Sequence, residues 1–314
     1  QLRIYFLNPP AVLAGFLFPQ LQAFLCETYM GTLKLAIQKS GRLFDNSQNL
    51  IQSSGIEILS KNVALKTKAK NYPLEIYYLR NSDIPKYINN GVVDIGIVGQ
   101  NLLFERNNDL EVIQKLGFSK CRLSLAVPQK IKYQSLQFFD GKKIATSYPN
   151  SLKKFLDQHK INAKIHQISG SVEISPGIGL SDGVCDLVST GFTLSQNRLK
   201  EVEVIMKSEA VIAKSPNIKP DIQSIIDDFV FRTSAVLKAK NKKYILFNVI
   251  NDHLDKIISI LPGLESPSIQ PLAKKHWNSV QAVIDESRFW DILTKIKKYG
   301  AKDILVMPIE KIIP

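Results

Sequence analysis

The stretch "LEIYYLRNSDIPKYINNGVVDIGIVG", Leu74–Gly99, decides the fold. "LEIYYLR" alternates as a half-buried strand does. "SDIPKYINNG" then carries helix punctuation, with Ser82 or Asp83 at the N-cap, Pro85 in the first turn and Gly91 past the end. "VVDIGIVG" follows as a buried strand. A strand–helix–strand rhythm of this kind predicts a mostly parallel, doubly wound sheet.

The same rhythm extends in both directions. Upstream, "LKLAIQ" (33–38) reads as a buried strand, and "SGRLFDNSQNLIQSSG" (40–55) as a loop and an amphipathic helix ended by Gly55. Downstream, Pro128 stops the β-prone run "CRLSLAVP" (121–128). The pattern then restarts with "KKIATSYP", the helix "NSLKKFLDQH", the strand "AKIHQIS", the segment "SVEISPGIGLSDG" and the strand "VCDLVSTG". Two α/β units joined by extended crossings enclose a cleft, where open α/β folds bind ligands at the strand C-termini. "EVEVIMKSEAVIAK" (201–214) is expected to return the chain to the first unit. Beyond the helix "IQSIIDDFVFRTSAVLKAK", the segments "KYILFNVI", "NDHLDKIISIL", "SPSIQPLA", "WNSVQAVID", "SRFWDILTKIKKYG" and "AKDILVMPIE" spell βαββαβ, the ferredoxin-like order. Ser287 and Gly300 punctuate the second of these helices. A compact module of this kind suits oligomerisation or small-ligand regulation.

The chain has 314 residues, 45% hydrophobic and 22% charged, as in an ordinary globular protein. Its net charge of +13 reads either as a preference for anionic partners or as compositional drift toward Lys, Ile and Asn. The basic residues are scattered and form no arginine stripe, which speaks against nucleic acid. Three cysteines, Cys26, Cys121 and Cys185, make no disulfide framework and fit a reducing, cytoplasmic setting. "AVLAGFLFPQLQAFLC" has the flavour of a signal-peptide core, but prolines punctuate it and it falls short of the roughly 20 apolar residues of a membrane span. Met30 directly precedes the strand "GTLKLAIQ", so residues 1–30 are read as a disordered or non-native extension, with a targeting segment as the alternative.

Chemistry concentrates in "CDLVSTGFTL", Cys185–Leu194. An apolar strand ends in a turn that leads into the short helix "LSQNRL". Backbone N–H groups and the hydroxyls of Ser189, Thr190 and Thr193 suit an anion, and Gly191 permits close approach. Asp186 is placed to accept hydrogen bonds from sugar hydroxyls. An ordinary strand–turn–helix with a Thr cap is the plainer reading of the same letters.

This arrangement resembles the loop by which phosphoribosyltransferases hold the 5-phosphate of phosphoribosyl pyrophosphate. "IQKSGRL", "DIPKYINNGVVDIGIVGQNLL", "CRLSLAVP", "IATSYPNSLKKFLD", "GSVEISPGIGLSDGVCDLVSTGFTL" and "LPGLESPSIQPLA" resemble, in order, segments of the long-form ATP phosphoribosyltransferase family, over about Leu33–Ile312. The resemblance implies an α/β fold of two doubly wound lobes around a cleft, like type II periplasmic binding proteins, plus a C-terminal ferredoxin-like βαββαβ domain. It implies a first lobe of residues 31–120 with 205–240, a second of 121–204, and a histidine-binding regulatory domain at 241–314. The implied reaction joins N1 of ATP to phosphoribosyl pyrophosphate, releasing pyrophosphate in a Mg²⁺-dependent step, the first of histidine biosynthesis. Dimers or hexamers and feedback inhibition by histidine are implied, with "LPGLESPSIQPLA" lining the effector pocket; neither nucleic acid nor membrane is.

The site residues follow from that match. Lys39 and Arg42 are expected to meet the leaving pyrophosphate or the ATP phosphates. Glu173 and Asp186 are expected at ribose hydroxyls or Mg²⁺-linked contacts, with Mg²⁺ held mainly by pyrophosphate and water. Ser189, Thr190, Gly191, Phe192 and Thr193 form the phosphoribosyl pyrophosphate loop. Arg80, Asp94, Gly99 and Ser147, together with Arg42, are expected on the ATP side; Gly96 and Gly99 would let a ligand approach. Asp182 is a weaker acid candidate, and Gly183 stands where the family often has a small aliphatic residue. None of His159, His166, His253 and His276 is expected to be catalytic. The competing reading is a non-catalytic two-lobed binding or regulatory protein, which has no need of two separate phosphate-handling loops.

Overall fold

The computed structural model describes residues 31–59, 65–106, 110–261 and 266–313. The expectation for residues 1–30 lies outside them. The described residues form two compact units: one comprises those up to Asp228 apart from Ser53–Gly55, the other Ser53–Gly55 and those from Phe229 onward.

The first unit opens with β1 (Leu33–Gln38), α1 (Arg42–Ser53), β2 (Lys66–Lys68), β3 (Leu74–Leu79), α2 (Ile84–Asn89), β4 (Ile95–Gly99), α3 (Gln100–Glu105) and β5 (Glu111–Lys115). It continues with β6 (Cys121–Pro128), β7 (Lys143–Thr146), α4 (Pro149–Gln158), β8 (Lys164–Gln167), β9 (Gly183–Val188), α5 (Phe192–Gln196), β10 (Leu199–Ser208) and β11 (Ala210–Lys214). Helix α6 (Pro220–Ala239) straddles the boundary between the units, which therefore falls inside a helix and not at its end.

Two sheets result, and they repeat one plan. The first has the order β2-β3-β1-β4-β11-β5, with β1 parallel to β3 and β4. The second has the order β10-β6-β9-β7-β8, with β7 parallel to β8 and β9. Each sheet also admits an antiparallel strand entering from the other lobe: β11 between β4 and β5, and β6 between β9 and β10. The near-continuous burial of β1 and β4 is that of strands covered on both faces. Gly96 lies under α2, where an added Cβ would meet Ile88 Cδ1 at 2.7 Å and Ile84 Cγ2 at 2.8 Å. Its reason is helix packing, which corrects its expected role toward a ligand. Gly183 likewise opens a strand against Phe139, whose Cε1 would lie 2.8 Å from a Cβ there.

The lobes are joined where β5 leads to β6 and where β10 leads to β11. The lobe bounds implied by the resemblance put the return at residue 205; β10 instead stays paired to β6 as far as Ser208, opposite Cys121, and the crossing falls at Glu209. Continued ladder hydrogen bonding decides this, since leaving early would strand backbone groups.

The second unit continues from α6 with β12 (Lys242–Ile250), α7 (Asn251–Ile258), β13 (Ser268–Pro271), β14 (Trp277–Asp285), α8 (Phe289–Lys298) and β15 (Lys302–Pro308). Its sheet is antiparallel in the order β13-β14-β12-β15, the ferredoxin-like arrangement. Ile245, Phe247, Val249, Val280 and Ile284 from the sheet meet Ile257, Ile292 and Ile296 from the helices in one core.

Candidate active site

In each lobe the parallel strands end at one edge. Counted outward from the crossing strands, the first lobe presents Gly99 as the last residue of β4, Lys39 after β1 and Arg80 after β3; the second presents Ser189 after β9, Ser147 after β7 and Ile168 after β8. Lys39 N–H donates to the Leu79 carbonyl at 2.9 Å, so Lys39 and Arg80 follow neighbouring strand ends. Arg42 opens α1 beside them, and all three are exposed. Asp94 does not belong to this edge. It precedes β4 at the opposite end, where its Oδ2 accepts the Lys34 N–H at 2.7 Å and burial raises its carboxyl above the ordinary value. Five strand residues separate it from Gly99's end, about 16 Å of backbone. Its expected role toward ATP is thereby corrected: it ties the N-terminal ends of β1 and β4. Asp182 does the same in the second lobe, accepting the Lys143 N–H at 2.8 Å.

The second lobe's edge carries the densest chemistry. Asp186 alternates with buried Cys185 along β9, on the face that packs Val172 and Leu194. Burial raises its carboxyl above the usual carboxylate range; the Leu187 N–H opposes this and the nearby Glu173 charge adds to it. Two of the expected carboxylates are thus within electrostatic reach of each other. A cation or a set of hydroxyl donors placed between them relieves both burial and repulsion. Among the described residues no group of three or more His, Cys, Asp or Glu side chains could hold a metal alone. The pair therefore suits Mg²⁺ that takes most of its oxygens from a ligand and water.

After Val188 the chain turns through Ser189 and Thr190 to Gly191, which caps α5 with φ +82°. Nothing lies within 4 Å of a Cβ built there, so glycine is required by the left-handed backbone and not by space. The Gly191 carbonyl accepts the Ser195 N–H at 3.0 Å, and the Phe192 N–H points to Thr190 Oγ1 at 3.4 Å. Phe192 itself is exposed, as is Thr193. Ser147 sits at the neighbouring strand end, where its hydroxyl donates to the Ile168 carbonyl at 2.6 Å and ties the two turns together. Tyr148, next along, is neutral: burial pushes its phenol well above the ordinary tyrosine range, with Asp186 contributing.

Several residues of the site were not singled out from the sequence. Arg122 is hydrogen-bonded bidentately to Glu201, and its Nη1 donates to the Ser189 carbonyl at 3.1 Å. Ser124 Oγ donates to the same Glu201 at 2.7 Å. The guanidinium in turn holds the Glu201 carboxyl below the usual range. Beside this brace, a cavity of 470 Å³ is lined by Lys115, Lys120, Arg122, Lys207, Ser189 and Glu209, so positive charge gathers where the lobes join. "EVIQKLGFSKCR" holds three of these cations and "IMKSE" the fourth, but only the pairing of β6 with β10 shows that they converge.

Residues 80–238 match the family described as ATP phosphoribosyltransferase, and residues 239–311 match its C-terminal domain. The chain belongs to the ATP phosphoribosyltransferase family. Proteins of that name from Bacteroides thetaiotaomicron and Cytophaga hutchinsonii are each 50% identical over 281 residues, covering 90% of this chain and 99% or 98% of theirs. A solved ATP phosphoribosyl transferase (HisG:HisZ) complex from Thermotoga maritima is similar over 64% of this chain and 98% of the solved one, with 27% identity and a TM-score of 0.56. The ATP phosphoribosyltransferase relatives thus span both units, and the family's two matched regions meet inside α6.

Proposed function

We propose that the chain is an ATP phosphoribosyltransferase, joining N1 of the ATP adenine to C1 of 5-phosphoribosyl 1-pyrophosphate in the first step of histidine biosynthesis in the cytoplasm. The carbon–oxygen bond to pyrophosphate breaks as the nitrogen–carbon bond forms on the opposite face. The observation that carries this reading is the run of β9 through Asp186 into the Ser189–Thr193 turn, with the Glu173 charge felt at the same carboxylate.

In this reading the turn holds the 5-phosphate through backbone N–H groups and the hydroxyls of Ser189, Thr190 and Thr193. Asp186 and Glu173 take the ribose hydroxyls, and Mg²⁺, when bound with pyrophosphate, neutralises charge on the leaving group. Arg122, pinned by Glu201, holds the Ser189 carbonyl back and so keeps the turn's N–H groups free to face the ligand. Lys39 and Arg42 meet phosphates from the first lobe, with Arg80, Gly99 and Ser147 on the ATP side. As pyrophosphate departs, C1 becomes oxocarbenium-like, so fixed donors and aligned substrates carry the rate. N1 of adenine attacks through a lone pair and needs no general base. The second unit is the seat of histidine inhibition and of assembly into dimers or hexamers; part of "LPGLESPSIQPLA", residues 262–265, lies outside the described residues.

Phosphorus NMR of the purified chain with ATP, phosphoribosyl pyrophosphate and Mg²⁺ tests the reading. Free pyrophosphate and a new 5-phosphate ester in equal amounts are expected. Either substrate consumed alone would favour a different reaction.

A further inference from the structure

Glu105 closes α3 in the first lobe and is 7% exposed. A buried carboxylate requires donors at both oxygens. It takes them from the other lobe: the Asn150 N–H donates to Oε1 at 3.0 Å and the Ser151 N–H to Oε2 at 2.9 Å. Asn150 Nδ2 also donates to the Glu105 carbonyl at 2.9 Å. These are the first amide donors of α4, because Pro149 has no N–H and the N-cap residue Tyr148 makes no side-chain cap bond. Glu105 therefore does for α4 what a local Ser or Asp does at an ordinary N-cap, with its charge toward the positive end of the helix.

Helix α3 is tied to the second lobe again nearby, at the end of β10. Asn101 N–H donates to Ser208 Oγ at 2.9 Å, and Ser208 Oγ donates back to Asn101 Oδ1 at 3.0 Å. Gly99, which opens α3, and Ser147, two residues ahead of α4, are site edges on opposite lobes. The Ser189–Thr193 turn, in contrast, is built within the second lobe alone.

We propose that Glu105 is a positioning residue for the reaction: it caps α4 across the lobe boundary and sets the angle at which the two substrate-bearing edges meet. It touches neither substrate. The inference rests on the two-substrate reading above, because only a reaction between ligands held on different lobes depends on that angle.

The test uses the whole chain as wild type, Glu105→Ala, Glu105→Gln and the milder Asn150→Ala, which keeps the carboxylate. Phosphoribosyl pyrophosphate binding, measured by calorimetry, is expected within about twofold of wild type in all three variants. The turnover number is expected to fall about tenfold or more in Glu105→Ala, with partial rescue in Glu105→Gln, whose amide keeps one acceptor, and about two- to threefold in Asn150→Ala. Spin labels on Lys86→Cys and Lys153→Cys, in a Cys26→Ser, Cys121→Ser background, report the lobe separation directly. Its distribution should broaden in Glu105→Ala. Unchanged turnover, or equal loss of binding and turnover, would overturn the proposal. A wild type with no turnover would sink the proposed function instead; the spin-label distances would then decide the clasp, broadening supporting it and an unchanged distribution overturning it.

Discussion

At the scale of single residues, Asp186 is held at a cost. Its carboxyl titrates above the ordinary value of 3.8 because burial and Glu173 both oppose its charge. A raised folded value means that stability is greatest when the group is protonated. That stability is lost as pH rises from 3.8 through the raised value, and it stays lost at neutral pH. Asp186→Asn is therefore expected to melt at a higher temperature than wild type at pH 7, while kcat/KM falls about a hundredfold; calorimetry and steady-state kinetics check the two halves. Glu201 behaves oppositely. Arg122 lowers its carboxyl below 4.5, so its contribution is present above 4.5 and disappears as pH falls through the lowered value. Melting curves of wild type and Glu201→Gln should separate at pH 7 and draw together as pH falls from 4.5 through the lowered value. Gly191 offers a cleaner case, since its φ of +82° with open space around it makes backbone strain the sole cost of a side chain. Gly191→Ala should therefore cost about 1–2 kcal/mol in loop binding or stability, and Gly191→Val more.

At the scale of elements, how much could be read in advance depended on how local the cause was. The strand–helix–strand of Leu74–Gly99, the Gly91 stop and the βαββαβ tail follow from period, caps and turns within a few residues, and the structure has them all. The Ser189–Thr193 turn was visible for the same reason. Asp94 was misplaced because an acid inside a buried strand pattern does not reveal at which end of the strand it stands. Gly96 was given to a ligand when Ile84 and Ile88 of α2 fill the space above it. Gly96→Val is expected to push α2 off the sheet and lower stability by about 2–4 kcal/mol, read by urea denaturation. Arg122, Glu201 and Glu105 escaped notice for a common reason. Each acts through a partner dozens of residues away, 79 for the ion pair and 45 for the helix cap, and nothing in the local pattern encodes that pairing.

At the scale of the molecule, two sheets on one plan bring two strand-end edges into a common unit, and a basic cavity marks the place where the chain crosses between them. A separate antiparallel unit follows, where histidine is expected to act; adding histidine to the turnover assay should lower the rate without changing the products. The central claim is that the bend after β9 receives the phosphoribosyl group for transfer to ATP. It is tested most directly by steady-state pyrophosphate release from wild type and Thr190→Ala, varying each substrate in turn with Mg²⁺ present. The account predicts turnover by wild type that requires both substrates. Thr190→Ala should show a KM for phosphoribosyl pyrophosphate raised about tenfold, the loss of one hydrogen bond to a charged group, with the KM for ATP within about twofold. Equal values for wild type and variant, or folded wild-type protein that releases no pyrophosphate, would contradict it.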